Sequence, residues 1–75
     1  MTYIYKNIIT LEAGKRGGKP CIRGMRITVE DILHWLAAEM SIDDIIHDFP
    51  ELKREDIVGA IEFSTERQIR TLYDV

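Results

Sequence analysis

The apolar positions of this chain repeat with two different periods, and the change falls at Thr28. Before it, Tyr3-Ile-Tyr-Lys-Asn-Ile-Ile-Thr-Leu is rich in aromatic and β-branched residues, which fit a pleated, half-buried surface, so a strand is predicted near residues 3–11. Pro20-Cys-Ile-Arg-Gly-Met-Arg-Ile alternates, with Cys21, Arg23 and Met25 on one side, and reads as a second short strand or extended ribbon. Between them Gly14-Lys-Arg-Gly-Gly-Lys-Pro has no side chains with which to build a core and forms a turn or mobile loop. Two strands around a loop make a hairpin-like β arm over residues 1–28. A lone hairpin is marginal in water, so the arm must lie on the rest of the chain or on a second copy.

From Thr28 the period becomes 3.6. Thr28 can cap a helix whose third residue, Asp31, nearly completes a capping box, and Val29, Ile32, Leu33, Leu36 and Met40 share one face; a helix is predicted at 29–39. Ser41 and Asp44 repeat the arrangement ahead of a second helix with Ile42, Ile45, Ile46 and Phe49 inward, closed by Pro50. The third and longest helix is predicted at 54–72: Glu55 and Asp56 suit its positive N-terminal end, and Ile57, Ala60, Ile61, Ser64, Gln68 and Leu72 recur every three or four residues. Its last turns are polar and need a partner to stay helical. The fold class expected is mainly α: a three-helix, homeodomain-like helix-turn-helix core with an N-terminal β arm. It forms a single domain divided as 1–28 (arm), 29–52 (first two helices) and 53–75 (third helix and tail).

Length matters next, because 75 residues bury a small core worth only about 3–5 kcal/mol unless a metal, a disulfide or a partner adds to it. The single Cys21 excludes an internal disulfide, and His34 and His47 form no zinc pattern with it, which leaves association; a homodimer is expected. The apolar run Trp35–Ala38 is too short to cross a bilayer and the N-terminus is not laid out as a signal peptide, so a cytoplasmic location without membrane contact is expected.

The net charge of −3 conceals a division. Residues 1–28 carry Lys6, Lys15, Arg16, Lys19, Arg23 and Arg26 against Glu12, a balance of +5, whereas residues 29–75 carry four cations against twelve carboxylates, a balance of −8. A basic arm on an acidic body suits an anionic partner, or two copies whose unlike halves meet; equally it is a surface that mixes its charges. As a nucleic-acid site the arm offers Lys15, Arg16, Lys19, Arg23 and Arg26. A helix-turn-helix would add Lys53, Arg54, Val58 and the backbone at Gly59 in the major groove, opposed by Glu55 and Glu62 on the same face. The glycines do not make a P-loop, since Gly14 and Gly18 enclose three residues and Lys19 precedes Pro20. His34 and His47 lack a companion base or ligand. Cys21 reads as a small buried hydrophobe, Asp43 and Asp44 as first-turn charges, and Trp35 either as a dimer anchor or as a half-exposed core residue. No nucleophile, base or metal cluster assembles, so no enzyme, no cofactor and no small-molecule substrate is expected.

The run Gly17-Gly-Lys-Pro-Cys-Ile-Arg-Gly-Met-Arg-Ile-Thr-Val, followed by Ile32-Leu, Ser41-Ile-Asp-Asp-Ile-Ile and Phe49-Pro-Glu-Leu, resembles domain of unknown function 433 over residues 3–64. Departures from that family's pattern are Met25 for a common Thr, Phe49 for Tyr, Glu39-Met40 where a Gly often ends the first helix, and Lys53 where a Thr usually caps. The missing Gly implies a different end to the first helix, and the missing Thr a weaker start to the third. The resemblance implies a dimeric homeodomain-like domain that, for many members, is the antitoxin of a VapBC-like pair whose toxin is a PIN-type ribonuclease. On that implication the helices bind operator DNA, and the C-terminal helix meets the toxin, with Arg67 and Arg70 reaching the toxin's metal-binding carboxylates. The two arginines can also simply pair with Glu62 and Glu66 along the helix. The function expected is an antitoxin that neutralises such a nuclease and represses its own operon. The alternative is a dimeric structural or adaptor module that binds another protein and no DNA.

Overall fold

A computed structural model describes the backbone of residues 2–73 and the side chains of residues 2–66. Strands β1 (Thr2–Tyr5), β2 (Ile9–Leu11) and β3 (Cys21–Ile22) form an antiparallel sheet in the order β1-β2-β3, followed by helices α1 (Val29–Ala37), α2 (Ile42–Asp48) and α3 (Arg54–Tyr73). The fold is thus a mixed one, three helices with a three-stranded sheet, where a two-stranded arm on a mainly α core was expected.

The difference arises at two tight turns. Lys6 and Asn7 both take positive φ (47° and 57°) and the Ile8 amide donates to the Tyr5 carbonyl at 2.9 Å, so the expected strand over residues 3–11 folds back on itself. This is the geometry of a two-residue hairpin turn, which Asn tolerates. Arg23 (φ 42°) and Gly24 (φ 74°) repeat it, with the Met25 amide on the Ile22 carbonyl at 2.7 Å, and so the alternating ribbon of residues 20–27 is a strand of two residues and a turn.

The sheet is no appendage. Ile9 and Ile22 are fully buried in one cluster with Ile32, Ile45, Leu52, Ile57, Ala60 and Phe63, and β2 packs on α3. Of the two expected supports for the arm, the helices of its own chain provide one. Gly59 belongs to this contact: a Cβ there would stand 2.9 Å from Ile8 Cδ1, so its backbone faces the sheet and not a groove.

Both capping boxes form. Thr28 and Ser41 each accept the amide of Asp31 or Asp44, whose carboxylates accept the Thr28 and Ser41 amides in return, at 2.9–3.0 Å. The end of α1 keeps the usual architecture without its glycine. The Glu39 amide donates to Leu36 and the Met40 amide to Trp35, the paired bonds of a Schellman motif, with Glu39 held at φ 70°. In α3 the inward face is Asp56, Ile57, Ala60 and Phe63; Ile61, expected inside, stands outside.

Candidate nucleic-acid interface

The start of α3 is fixed by one carboxylate. Asp56 is 1% exposed, and its oxygens accept the Lys53 amide at 2.8 Å and both Nε and an Nη of Arg23, at 2.9 and 2.8 Å. Arg23 also donates to the Glu51 carbonyl at 3.0 Å. Lys53 has no capping hydroxyl, so the helix start draws its acceptor from the third helical position, half of a capping box, and the arm's guanidinium neutralises it. Arg23 therefore ties the turn after β3 to the turn between α2 and α3. Sequence reasoning had no means of pairing residues so distant in the chain; the only local signal was an Asp three residues after a cap position.

The other arm cations are likewise engaged within the chain. Lys15 pairs with Glu12 at 2.6 Å and donates to the Gly24 carbonyl, Arg16 pairs with Asp31 at 2.9 Å and donates to the Arg26 carbonyl, and Lys19 lies 3.5 Å from Glu30. Lys6 reaches Glu62 at 3.3 Å. Titration follows these pairings. The Lys15 ammonium holds Glu12 below the usual carboxylate range, and Glu62 raises Lys6. Burial alone would push Asp31 up, but the Thr28 amide and the Arg16 guanidinium outweigh it and the group ends low. Most of the basic arm's charge is thus met by the acidic body of its own chain, as in the reading of a surface that mixes its charges.

Among the described residues, Arg26 and Lys53 are the candidate cations whose side chains have no hydrogen bond or ion pair, and both are exposed. Arg54, two-thirds exposed, lies 3.7 Å from Asp43. Lys53, Arg54, Glu55 and Val58 line a shallow open hollow of about 510 Å³ at the start of α3. The site assembled by the fold is this end of α3, with Lys53 and Arg54 at its rim, while Lys15, Arg16, Lys19 and Arg23 are spent holding the loops. The side chains of Arg67 and Arg70 lie outside the described residues.

Trp35 stacks on Phe49 with ring centroids 4.4 Å apart and is half-buried. Cys21 is buried, which pushes its thiol up and keeps it protonated. His34 and His47 are exposed. Among the described residues no three His, Cys, Asp or Glu side chains gather as metal ligands, and no helix is long and apolar enough to cross a membrane.

The profile of the family described as "Protein of unknown function (DUF433)" matches residues 9–64, the stretch from β2 through Ser64 that contains this clamp and both capping boxes. The chain belongs to the DUF433 family. A DUF433 member from Anabaena variabilis, whose crystal structure was solved at 2.00 Å resolution, is similar with a TM-score of 0.79 and 23% identity over 87% of this chain and 64% of that one. At that identity the likeness establishes the DUF433 fold, and the present chain spans less than two-thirds of that protein's length. No protein of curated function matches the chain.

Proposed function

We propose that this DUF433 domain is an antitoxin-like DNA-binding protein: a homeodomain-like helix-turn-helix whose α3 start reads operator DNA and whose C-terminal α3 turns engage a PIN-type ribonuclease. The observation that carries the reading is the exposed start of α3, with Lys53 and Arg54 around an open hollow and the helix end locked by the buried Asp56. A recognition helix needs exposed cations on a fixed helix start, and here Lys53 is unpaired while Arg54 has only an exposed 3.7 Å contact with Asp43 to give up. Arg26 adds a further exposed cation. Arg67 and Arg70 are the residues proposed to meet the nuclease carboxylates.

The test is fluorescence anisotropy with duplex DNA from the region upstream of the coding sequence, across salt. Replacing Lys53 and Arg54 by Ala is expected to reduce the log–log salt slope by about 2. Lys15→Ala or Lys19→Ala changes it little. Absence of binding at 50 mM salt refutes the DNA reading, and a toxin still inhibited by the Arg67→Ala/Arg70→Ala double variant refutes the other half.

A second reading, an adaptor that binds protein and no DNA, is favoured by the internal pairing of the arm cations and by the exposed apolar side chains Tyr3, Ile4, Leu11, Val58 and Ile61. Salt-independent capture of a protein partner, with no affinity for duplex, would select it.

A further inference from the structure

Two of the side chains lining the hollow at the start of α3 are not cations, and the fold makes little use of either. Glu55 is exposed and, among the described residues, has no hydrogen bond or ion pair. The helix start takes its cap from Asp56 instead. The helix also offers Glu55 no cation, since Val58 and Gly59 stand three and four residues on and Leu52 and Glu51 as far before it. Arg23 attracts Glu55 from a distance, but its donors are committed to Asp56 and the Glu51 carbonyl. The helix dipole favours an acid in this turn, a preference that Asp56 already meets. Val58 is 40% exposed, although residues 56, 57, 59 and 60 around it are all buried.

A carboxylate and a branched apolar side chain beside two cations have specific counterparts in a major groove. Cytosine presents only its N4 amino donor there, whereas adenine sets an N7 acceptor beside its donor and guanine presents acceptors alone. Thymine presents an acceptor and a methyl group. We infer that Glu55 and Val58 give the start of α3 its base preference: Glu55 accepts a hydrogen bond from the N4 amino group of a cytosine, and Val58 packs on the methyl group of a nearby thymine. This step rests on the DNA reading proposed above and deepens it. Side chains three residues apart on a helix have Cβ atoms about 5–6 Å apart. Bases on one strand follow every 3.4 Å or so, which places the two contacts within one or two base steps of each other. Lys53 and Arg54 then supply attraction to phosphates on any sequence. Glu55 opposes that attraction everywhere and finds a donor only over the right base, so it trades affinity for discrimination.

The test is selection of bound duplexes from a randomised pool, followed by fluorescence anisotropy on single sequences at fixed salt. The wild type should prefer cytosine at one position by about tenfold. Glutamine pairs with adenine N6 and N7, so Glu55→Gln should change that preference from cytosine to adenine while the other positions keep theirs. Its affinity for unrelated duplex should hold or rise, because a negative charge has gone. Replacing the preferred thymine by deoxyuridine, which lacks the methyl group, should weaken the wild type about fourfold and Val58→Ala hardly at all. Circular dichroism of both variants should match the wild type. A merely structural Glu55 could lower affinity on every sequence but could not exchange one base for another. Duplex binding without a cytosine preference, or with one that Glu55→Gln leaves in place, overturns the inference and leaves the DNA reading standing. A methyl effect that persists in Val58→Ala overturns the part given to Val58. A wild type that binds no duplex at 50 mM salt removes the DNA reading and this inference with it.

Discussion

At Arg23 two unfavourable features are held together by a third. The residue takes a φ of 42°, which costs a non-glycine residue energy, and it places a guanidinium against the domain, yet Asp56 and the Glu51 carbonyl satisfy its donors. The pair is unequal in exposure: the Arg23 side chain is 32% exposed and that of Asp56 only 1%. Losing the cation strands a carboxylate in the interior with the Lys53 amide as its remaining donor, whereas losing the negative charge leaves a guanidinium that water can reach. Arg23→Ala is therefore expected to destabilise by about 3 kcal/mol and Asp56→Asn, which keeps an acceptor for Lys53, by about half as much, measured by urea unfolding. Equal losses would show that the pair is not asymmetrically solvated. From sequence, Arg23 looks like one more cation in a basic run. Its role depends on a partner on another element, brought near by a turn whose left-handed residues include only one glycine, and neither fact has a local signature.

The elements themselves show what sequence pattern conveys well and where it stops. Thr28 and Ser41 are legible because a cap and its reciprocal carboxylate sit three residues apart, within one turn. The single strand expected over residues 3–11 fails because Lys6-Asn7 makes a turn without glycine or proline, and Ile61 is misplaced because a spacing of three or four residues is equally met by Phe63, which the sheet covers. The end of α1 keeps its Schellman bonds even though Glu39 stands in the left-handed region, so Glu39→Gly is expected to stabilise by about 0.5–1 kcal/mol in thermal or urea melts. No gain would mean that the Glu39 side chain has a compensating role. The capping boxes also set an acid limit. The Ser41 amide and hydroxyl hold Asp44 below its ordinary value, and Asp31 is likewise lowered. A carboxyl whose folded pKa is depressed contributes stability that is fully present above the unfolded value, near about 3.9, and is lost as pH falls through the folded one. Stability should therefore be insensitive to these groups at neutral pH and fall below about pH 4. Thr28→Ala, which removes the acceptor of the Asp31 amide, should cost about 1 kcal/mol at pH 7 in urea unfolding; Ser41→Ala should act in the same direction.

At the scale of the whole molecule, the division into a basic arm and an acidic body turns out to be a division of charge within one folded unit. Sequence alone leaves three readings of it open, and distance along the chain cannot choose among them, because the pairs Arg16–Asp31, Lys19–Glu30, Arg23–Asp56 and Lys6–Glu62 form only once the sheet lies on the helices. Apart from Arg23–Asp56, these pairs lie at the surface and contribute little each, so they fix where the arm lies more than how strongly. The strength comes from Ile9 and Ile22, both 0% exposed, which complete the core between the sheet and α3. Truncating either leaves a cavity that costs about 2–5 kcal/mol. A core of this size supplies about 3–5 kcal/mol altogether. Ile9→Ala is thus expected to unfold most of the molecule, and because the core is shared, the helical circular dichroism signal at 222 nm should fall with the sheet in one transition. The contrast is Leu11→Ala, two residues along the same strand and 41% exposed, which should leave the helices intact. Helices that persist in Ile9→Ala would make the arm a separable attachment. Their loss would mean that a ligand held by the arm and one held by α3 are bound by a single rigid body.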